Sequence, residues 1–281
     1  MLFYFQYTYL LQMPEKEARS MNRTPIHTDI EQFPAAFHAL LADAAIYDSS
    51  SSKAARVFFI DKDKGYFLKS APKGALETEA ELTRFFHKKQ LSAEVLSYLS
   101  SENDWLLTER LPGEDCTHSA YLQSPKRLCD TLAELLRTLH ETDYTGCPVA
   151  NRTESYLAAA AHNYRAGLYD SSLFPDNWGY ASAEEAWSIA QNGAYLLKAD
   201  TLLHGDYCLP NIILNHWRFS GFIDVGCGGM GDKHIDLFWG IWSLAFNLKT
   251  NQYQDRFLDA YGRRDINTEL LKVIAAIEVF G

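Results

Sequence analysis

The sequence contains no C-x-x-C pair, no excess of basic residues, no internal repeat and no apolar run long enough to cross a bilayer. Each absence removes a class of protein. The five cysteines, Cys116, Cys129, Cys147, Cys208 and Cys227, are odd in number and widely spaced. They leave neither a disulfide framework nor a zinc finger, and they suit thiols in a reducing cytosol. The net charge is −10, from 26 basic and 36 acidic residues. Nucleic acid and anionic membranes both require a positive surface, so neither is an expected partner, whereas a neutral or cationic small molecule is. The low-complexity run at residues 49–52 is too short to act as a linker.

The opening segment MLFYFQYTYLLQM is apolar and uncharged. Nothing basic precedes it and no small-residue cleavage site follows, as a signal peptide would require. It also falls short of the about 20 residues that span a bilayer. Met13 and Met21 each offer an alternative start. Residues 1–20 are therefore expected to be an extension without a role, on a soluble, cytoplasmic protein.

What is present is a chain of 281 residues, 47% hydrophobic and 14% aromatic, enough for two lobes of ordinary size and too apolar for disorder. Residues 56–60 (RVFFI) and 66–69 (YFLK) read as strands around the turn DKDKG. Residues 77–89 read as a helix with Ala80, Leu82, Phe85 and Phe86 near one face. Residues 105–108 (WLLT) form a further strand pattern, ending at Leu111-Pro112-Gly113, and that Pro-Gly pair marks the best lobe boundary. Beyond it the pattern is mostly helical, over residues 125–140, 155–169, 184–198, 235–248, 252–261 and 269–280, with strand-like stretches at 201–203, 212–214 and 219–225. The expected fold is α+β, with a small β-rich N-terminal lobe over residues 21–110 and a larger, mainly helical C-terminal lobe over 111–281.

Chemistry concentrates in LLHGDYCLPNIILNHWRFSGFIDVGCGGMGDKHIDLFWG, which begins at Leu202. His204-Gly205-Asp206 is followed five positions after the aspartate by Asn211. A short hairpin then leads to Asp224-Val225-Gly226, and Asp232 and Asp236 come next. This is the layout of a phosphoryl-transfer site. One aspartate orients or deprotonates the attacking hydroxyl, while an asparagine and the aspartate of a D-x-G turn hold magnesium on nucleotide phosphates. Magnesium takes hard oxygen ligands, which carboxylate and amide supply. Aspartate and asparagine are also ordinary turn residues, but three turns at this spacing, each flanked by apolar strands, argue against that explanation. His204 is expected to pack and hydrogen-bond within the loop without moving a proton. Asp236, at the start of a helix, reads equally as an N-cap, a loop anchor or a site residue.

A nucleotide also needs a cation on its phosphates. Lys69 ends the strand YFLK, placed like the strand lysine of kinases, and a glutamate on the next helix should pair with it. Of Glu77, Glu79 and Glu81, we select Glu79, because Phe85 and Phe86 then fall where such a helix buries its apolar residues. Two other patterns do not hold up. Gly226, Gly228 and Gly231 spell G-x-G-x-x-G, but the strand before them ends in Asp224, no βαβ unit opens the chain, and the acidic residue about 20 positions on is missing. The same glycines approach G-x-x-x-x-G-K, but Asp232 intervenes before Lys233 and no Ser or Thr follows. A protein kinase is disfavoured too. Between Gly226 and Asp236 there is no room for an activation loop, no A-P-E follows, and Gly205 stands where H-R-D has arginine. DSSSSKAARV replaces the glycine-rich loop, with hydroxyls and N–H groups suited to covering phosphates. A constitutively active small-molecule kinase accommodates all of these.

HGDYCLPN, GFIDVG and the aspartates after them resemble the aminoglycoside phosphotransferases, in particular the 3′-phosphotransferases of kanamycin and neomycin. LHETDYTGCPVANRTESYLAAAAHNYRAGLYDSSLF resembles that family's LH…CP…RL…GL-x-D stretch, WLLTERLPG its hinge, and IEVFG its closing D-E-L/F-F, so the likeness spans residues 50–281. It implies a protein-kinase-like bilobal fold and transfer of the γ-phosphate of ATP, or of GTP, to a sugar hydroxyl with Mg2+, giving antibiotic resistance in a bacterium. It further implies Asp206 as catalytic base, Asn211 and Asp224 as magnesium ligands, and Lys69, paired with Glu79, on the α- and β-phosphates. Phe67 would lie against adenine, and Thr108, Glu109 and Leu111 would line the hinge. Glu278 would bind drug ammonium groups, and Asp176 would sit in an acidic loop that closes over the substrate. The plainer readings of these last two are a solvated helix end and a turn. A cleft lined with carboxylates suits a polycation.

The chain departs from the family at Cys227, where an arginine is usual, and at Ile277, where the closing motif has an aspartate. It also departs at Leu209, where some members carry an aspartate, and in the serine-rich loop. These leave phosphotransfer intact and bear on the substrate spectrum. The alternatives are a kinase of the same fold acting on an amino alcohol, a macrolide or a sugar, and a non-catalytic binder, against which Asp206, Asn211, Asp224 and Lys69 weigh. A monomer or homodimer is expected.

Overall fold

The structure, a computed structural model, describes residues 23–50, 55–169 and 180–281. Residues 1–20, the serine-rich loop from residue 51 and Asp176 lie outside the described residues. The chain divides into two compact units, one comprising residues 23–115 with Ile212–Gly226, the other Cys116–Asn211 with Cys227–Gly281. The hairpin after Asn211 thus groups with the first unit, whereas a division at residue 110 assigns it to the second.

The first unit is built on a six-stranded antiparallel sheet in the spatial order Thr24–Pro25, Ala45–Asp48, Arg56–Asp61, Tyr66–Pro72, Asn103–Glu109 and Val95–Ser100. Period-two alternation along Tyr66–Pro72 decides which residues meet. Leu68 points to a core of Phe33, Phe37, Phe58, Trp105 and Leu107. Ala71, on the opposite face, joins Leu76, Ala80 and Leu106 under the helix Glu77–Lys88. Lys69 shares that face by alternation and pairs in register with Leu106. The helix buries Ala80, Leu82, Phe85 and Phe86, the side anticipated from its spacing. Leu76 supplies no side-chain cap. The fully buried carboxylate of Asp104, on the neighbouring strand, instead accepts the Leu76 N–H at 2.9 Å and holds the helix start. The strands Ala45–Asp48 and Val95–Ser100 were not anticipated. In Val95–Ser100, an edge strand of mixed polar and apolar residues, only the pairing with Asn103–Glu109 makes a strand of a weak pattern.

In the second unit the helix Pro125–His140 starts with proline in its first turn and buries Leu128, Leu132, Leu136 and Leu139. The helices Arg152–Ala166, Ala183–Ala194, His234–Leu248, Gln254–Tyr261 and Thr268–Glu278 complete it, with an antiparallel pair of Thr201–Leu203 and Gly229–Gly231. Two helices differ by three or more residues at an end from the expected bounds. The helix expected from residue 155 starts at Arg152, because the Asn151 side chain accepts the Glu154 N–H at 3.1 Å, and it stops at Gly167, which takes φ 65°. The helix expected to reach residue 198 ends at Ala194, and the Lys198 N–H binds Asp232 instead. The fold class is the expected α+β one, with an antiparallel sheet in the first unit and mainly helices in the second. No described helix is long and apolar enough to cross a membrane.

Burial pushes the Asp104 carboxyl up, but hydrogen bonds, led by that from Leu76, outweigh it and leave the group below the usual carboxylate range. A carboxyl depressed in the folded state stabilises above its unfolded value and loses that contribution as pH falls through the folded one. Asp104→Ala should therefore cost about 1–3 kcal/mol of stability at pH 7, and the deficit should shrink as the pH is lowered into the acid range, as read by urea unfolding.

Candidate active site

Two clusters bring together most of the residues selected from the sequence. In the first unit, the Lys69 ammonium lies 2.9 and 2.8 Å from the two carboxylate oxygens of Glu79 and 2.8 Å from Asp224 Oδ1. Strand alternation puts Lys69 under the helix that carries Glu79. The hairpin of Ile212–Asn215 and Arg218–Phe222, joined to Leu91 by its Phe222 N–H, delivers Asp224. Asp224 adopts φ 54°, a left-handed conformation unusual for a residue with a side chain. Burial opposes the charge on Lys69, but Asp224 and Glu79 outweigh it and hold the ammonium firmly protonated. One ammonium between two carboxylates leaves a residual negative charge that favours a further cation, while the ammonium itself is suited to phosphate oxygens.

The positions expected at the nucleotide lie on the same sheet. Phe67 is half-buried, opposite Thr108 in register, with its ring 5.2 Å from that of Phe59. Glu109 ends its strand. Its N–H donates to the Glu94 carbonyl and the next N–H, of Arg110, to Gly65, so these two donors are already engaged. The Leu111 side chain lies against Gly221.

In the second unit, the loop after Thr201–Leu203 carries Asp206. The Asn211 amide donates to the Asp206 carbonyl at 3.0 Å and to its carboxylate Oδ2 at 2.9 Å. Both partners are acceptors, so the amide nitrogen faces Asp206 and the amide oxygen is turned away, a hard donor of the kind magnesium takes. Asp224 offers a carboxylate of the same hard class. Each is a donor of the class that magnesium takes.

The loop is held by Asp236. This carboxylate is fully buried and accepts the His204 and Gly205 N–H groups at 2.7 Å each, and His140 Nε2 lies 3.2 Å from it. The helix begins at His234 with Lys233 as its N-cap, so of the three readings open for Asp236 the anchor is the observed one. His204 is buried, and its Nδ1 accepts the Asp206 N–H. Gly205 has φ 84°, and a Cβ there would lie 1.8 Å from the Cys227 carbonyl oxygen, which explains why no arginine occupies this position. Of the glycines that mimic a dinucleotide fingerprint, Gly226 lies in the short 3-10 turn Val225–Cys227 and Gly231 ends the strand Gly229–Gly231, which pairs with Thr201–Leu203. Asp232 is bound by His234 Nδ1 at 2.6 Å and by the Lys198 N–H at 2.8 Å.

Glu278, at the end of the last helix, is buried and accepts the Tyr156 hydroxyl at 2.8 Å, unlike a solvated helix end. Burial pushes its carboxyl up to about 7, against hydrogen bonds from Tyr156 and Trp239 and together with the charge of Asp206. Sequence reasoning did not single out Tyr156 or Trp239. Tyr156 lies 122 positions from its partner, and no local pattern marks such a pair.

A lysine–glutamate–aspartate cluster beside a β-sheet, and an H-G-D loop whose asparagine grips the aspartate, are the parts of a kinase-type phosphotransferase. The chain belongs to the phosphotransferase enzyme family, which matches residues 48–272. It is 51% identical over 262 residues, covering 92% of this chain and 99% of the relative, to a probable aminoglycoside 3′-phosphotransferase of Lactococcus lactis. It is 29% identical, over 63% of this chain and 67% of the relative, to an aminoglycoside 3′-phosphotransferase of Niallia circulans. A solved aminoglycoside-3′-phosphotransferase of type VIII superposes with a TM-score of 0.67 at 26% identity, over 80% of this chain and 88% of that one. An aminoglycoside phosphotransferase from Streptomyces rimosus, in complex with ADP and streptomycin, gives 0.72 at 19% identity, over 90% and 99%, which speaks to the fold alone.

Asp236→Ala would leave the His204 and Gly205 N–H groups buried without their acceptor, at about 1–3 kcal/mol each. The expected outcome is a protein several kcal/mol less stable in urea unfolding, with turnover falling further than the folded fraction because Asp206 is no longer fixed.

Proposed function

We propose that this protein is an ATP-dependent aminoglycoside O-phosphotransferase that moves the γ-phosphoryl group to the 3′-hydroxyl of the drug, in the cytoplasm of a bacterium that it makes resistant. The observation that carries the reading is the grip of Asn211 on Asp206 within a loop anchored by Asp236. The 51% identity to a probable 3′-phosphotransferase over nearly its whole length supports the substrate class and the regiochemistry.

Asp206 acts as the base. Its Oδ2 is engaged by Asn211, which orients the carboxylate to accept the hydroxyl proton as the oxygen attacks phosphorus. Lys69, positioned by Glu79, neutralises phosphate oxygens. Asn211 and Asp224 would hold magnesium, which when bound would supply charge neutralisation on the nucleotide phosphates. Phe67, Thr108, Glu109 and Leu111 lie at the base of the nucleotide, and Arg110 and Glu109 contribute through carbonyls, since their N–H groups are engaged. Glu278 receives an ammonium of the drug, a task that the likeness to the family assigns to Asp176 as well. With a net charge of −10 the protein attracts a polycation.

The test is magnesium-dependent ADP release in the presence of kanamycin. Asp206→Asn should bind nucleotide normally and lose turnover by about 100-fold or more, the range for a positioned general base. A variant that keeps the wild-type rate would show that Asp206 is not the base.

A further inference from the structure

The Glu278 carboxylate is buried, yet the groups that act on it among the described residues are Tyr156 from the helix Arg152–Ala166, Trp239 from the helix His234–Leu248, and Asp206 and Cys208 from the catalytic loop. None of them is cationic. Burying a carboxylate without a counter-ion is costly, and a second carboxylate, Asp206, adds to the cost. Such a carboxyl either takes up a proton or is matched by a cation from outside the protein. What the fold supplies in place of a counter-ion is a neutral donor, the Tyr156 hydroxyl at 2.8 Å from Oε1. Tyr156 is held by its own helix, one turn after the cap at Asn151, Trp239 donates to the same carboxyl, and Oε2 lies beside Gly281.

We propose that Tyr156 is a positioning residue for substrate recognition: its hydroxyl, donated to Oε1, holds Glu278 as an oriented anion whose charge receives a protonated amine of the substrate. The inference rests on the aminoglycoside reading and adds to it a residue that sets how strongly, and over what pH range, the amine is bound. A donor to the charged form of a carboxylate favours that form. Glu278 titrates near 7, so the bond acts where cells live. Without it, the anion is formed only at higher pH.

The experiment compares wild type, Tyr156→Phe and Glu278→Gln in steady-state kinetics with neomycin from pH 6 to 9. Changes in the drug's own protonation affect all three alike and cancel in the ratio of variant to wild type. Tyr156→Phe should raise KM about fivefold at pH 7 and less than twofold at pH 9, as for a carboxyl whose titration moves up by about one pH unit, with kcat changed little. The ratio for Glu278→Gln should instead grow with pH, since it has no anion to gain. A KM ratio for Tyr156→Phe that is constant across pH, or that stays at one, would overturn the proposal. The Glu278 carboxyl is also titrated by carbon-13 NMR, assigned through Glu278→Gln. An upward move in Tyr156→Phe supports the positioning role even if no aminoglycoside is turned over, a result that would sink the substrate reading instead. An unmoved titration overturns the role whatever the kinetics.

Discussion

A single buried carboxylate organises the loop at the centre of the second unit. Asp236 has no exposed surface, and it takes the N–H groups of His204 and Gly205 at 2.7 Å each. A buried carboxylate is tolerated only when hydrogen-bonded, and a loop backbone buried with free N–H groups is equally costly, so each requirement answers the other. Behind Asp236 stands His140, whose Nδ1 lies 2.8 Å from the Tyr261 hydroxyl. The chain from Tyr261 through His140 to Asp236 ties three helices to the loop that presents Asp206. The loop can approach so closely because Gly205 has no side chain to meet the Cys227 carbonyl.

The first unit meets the same electrostatic problem differently. Lys69 is a half-buried cation, and two carboxylates hold it, one from the helix over the sheet and one from the hairpin after Asn211. Asp224 keeps a left-handed backbone to do so. Strain of this kind persists where surrounding structure enforces it, here the pairing of Arg218–Phe222 with Ile212–Asn215 and the bond from Phe222 to Leu91. The arrangement is self-neutralising up to one surplus negative charge, and the surplus is of the sign that favours a further cation. Glu278 in the second unit shows the complementary case, a buried carboxyl that the described residues provide with donors and no cation.

Much of this was legible in the sequence because it was local. The spacing of Asp206 and Asn211 places both at one loop, and a loop of that length brings an amide to a carboxylate. The alternation of YFLK puts Lys69 on the helix-covered face, and helical spacing puts Glu79 beneath Phe85 and Phe86. The helices at 125–140 and 235–248 follow from apolar periodicity, which the core rewards directly. The strand Val95–Ser100 did not follow, since an edge strand with polar residues has no strong pattern of its own and takes its shape from its neighbour. The early start of Arg152–Ala166 turned on a cap at Asn151 that outweighs the apolar signal.

The sequence by itself determined the class of chemistry, through H-G-D, the asparagine after it and the D-x-G turn, and it determined the two-lobed α+β architecture, because motif spacing and hydrophobic period are properties of short stretches. Only the tertiary structure decided what each charged residue leans on. Asp236 became an anchor rather than a cap, Asp104 the cap of a helix on another element, and Tyr156 the partner of a glutamate at the far end of the chain. The physical reason is the same in each case: a buried charge is stabilised by whichever donors the fold brings within about 3 Å, and those donors come from positions that the linear order does not connect.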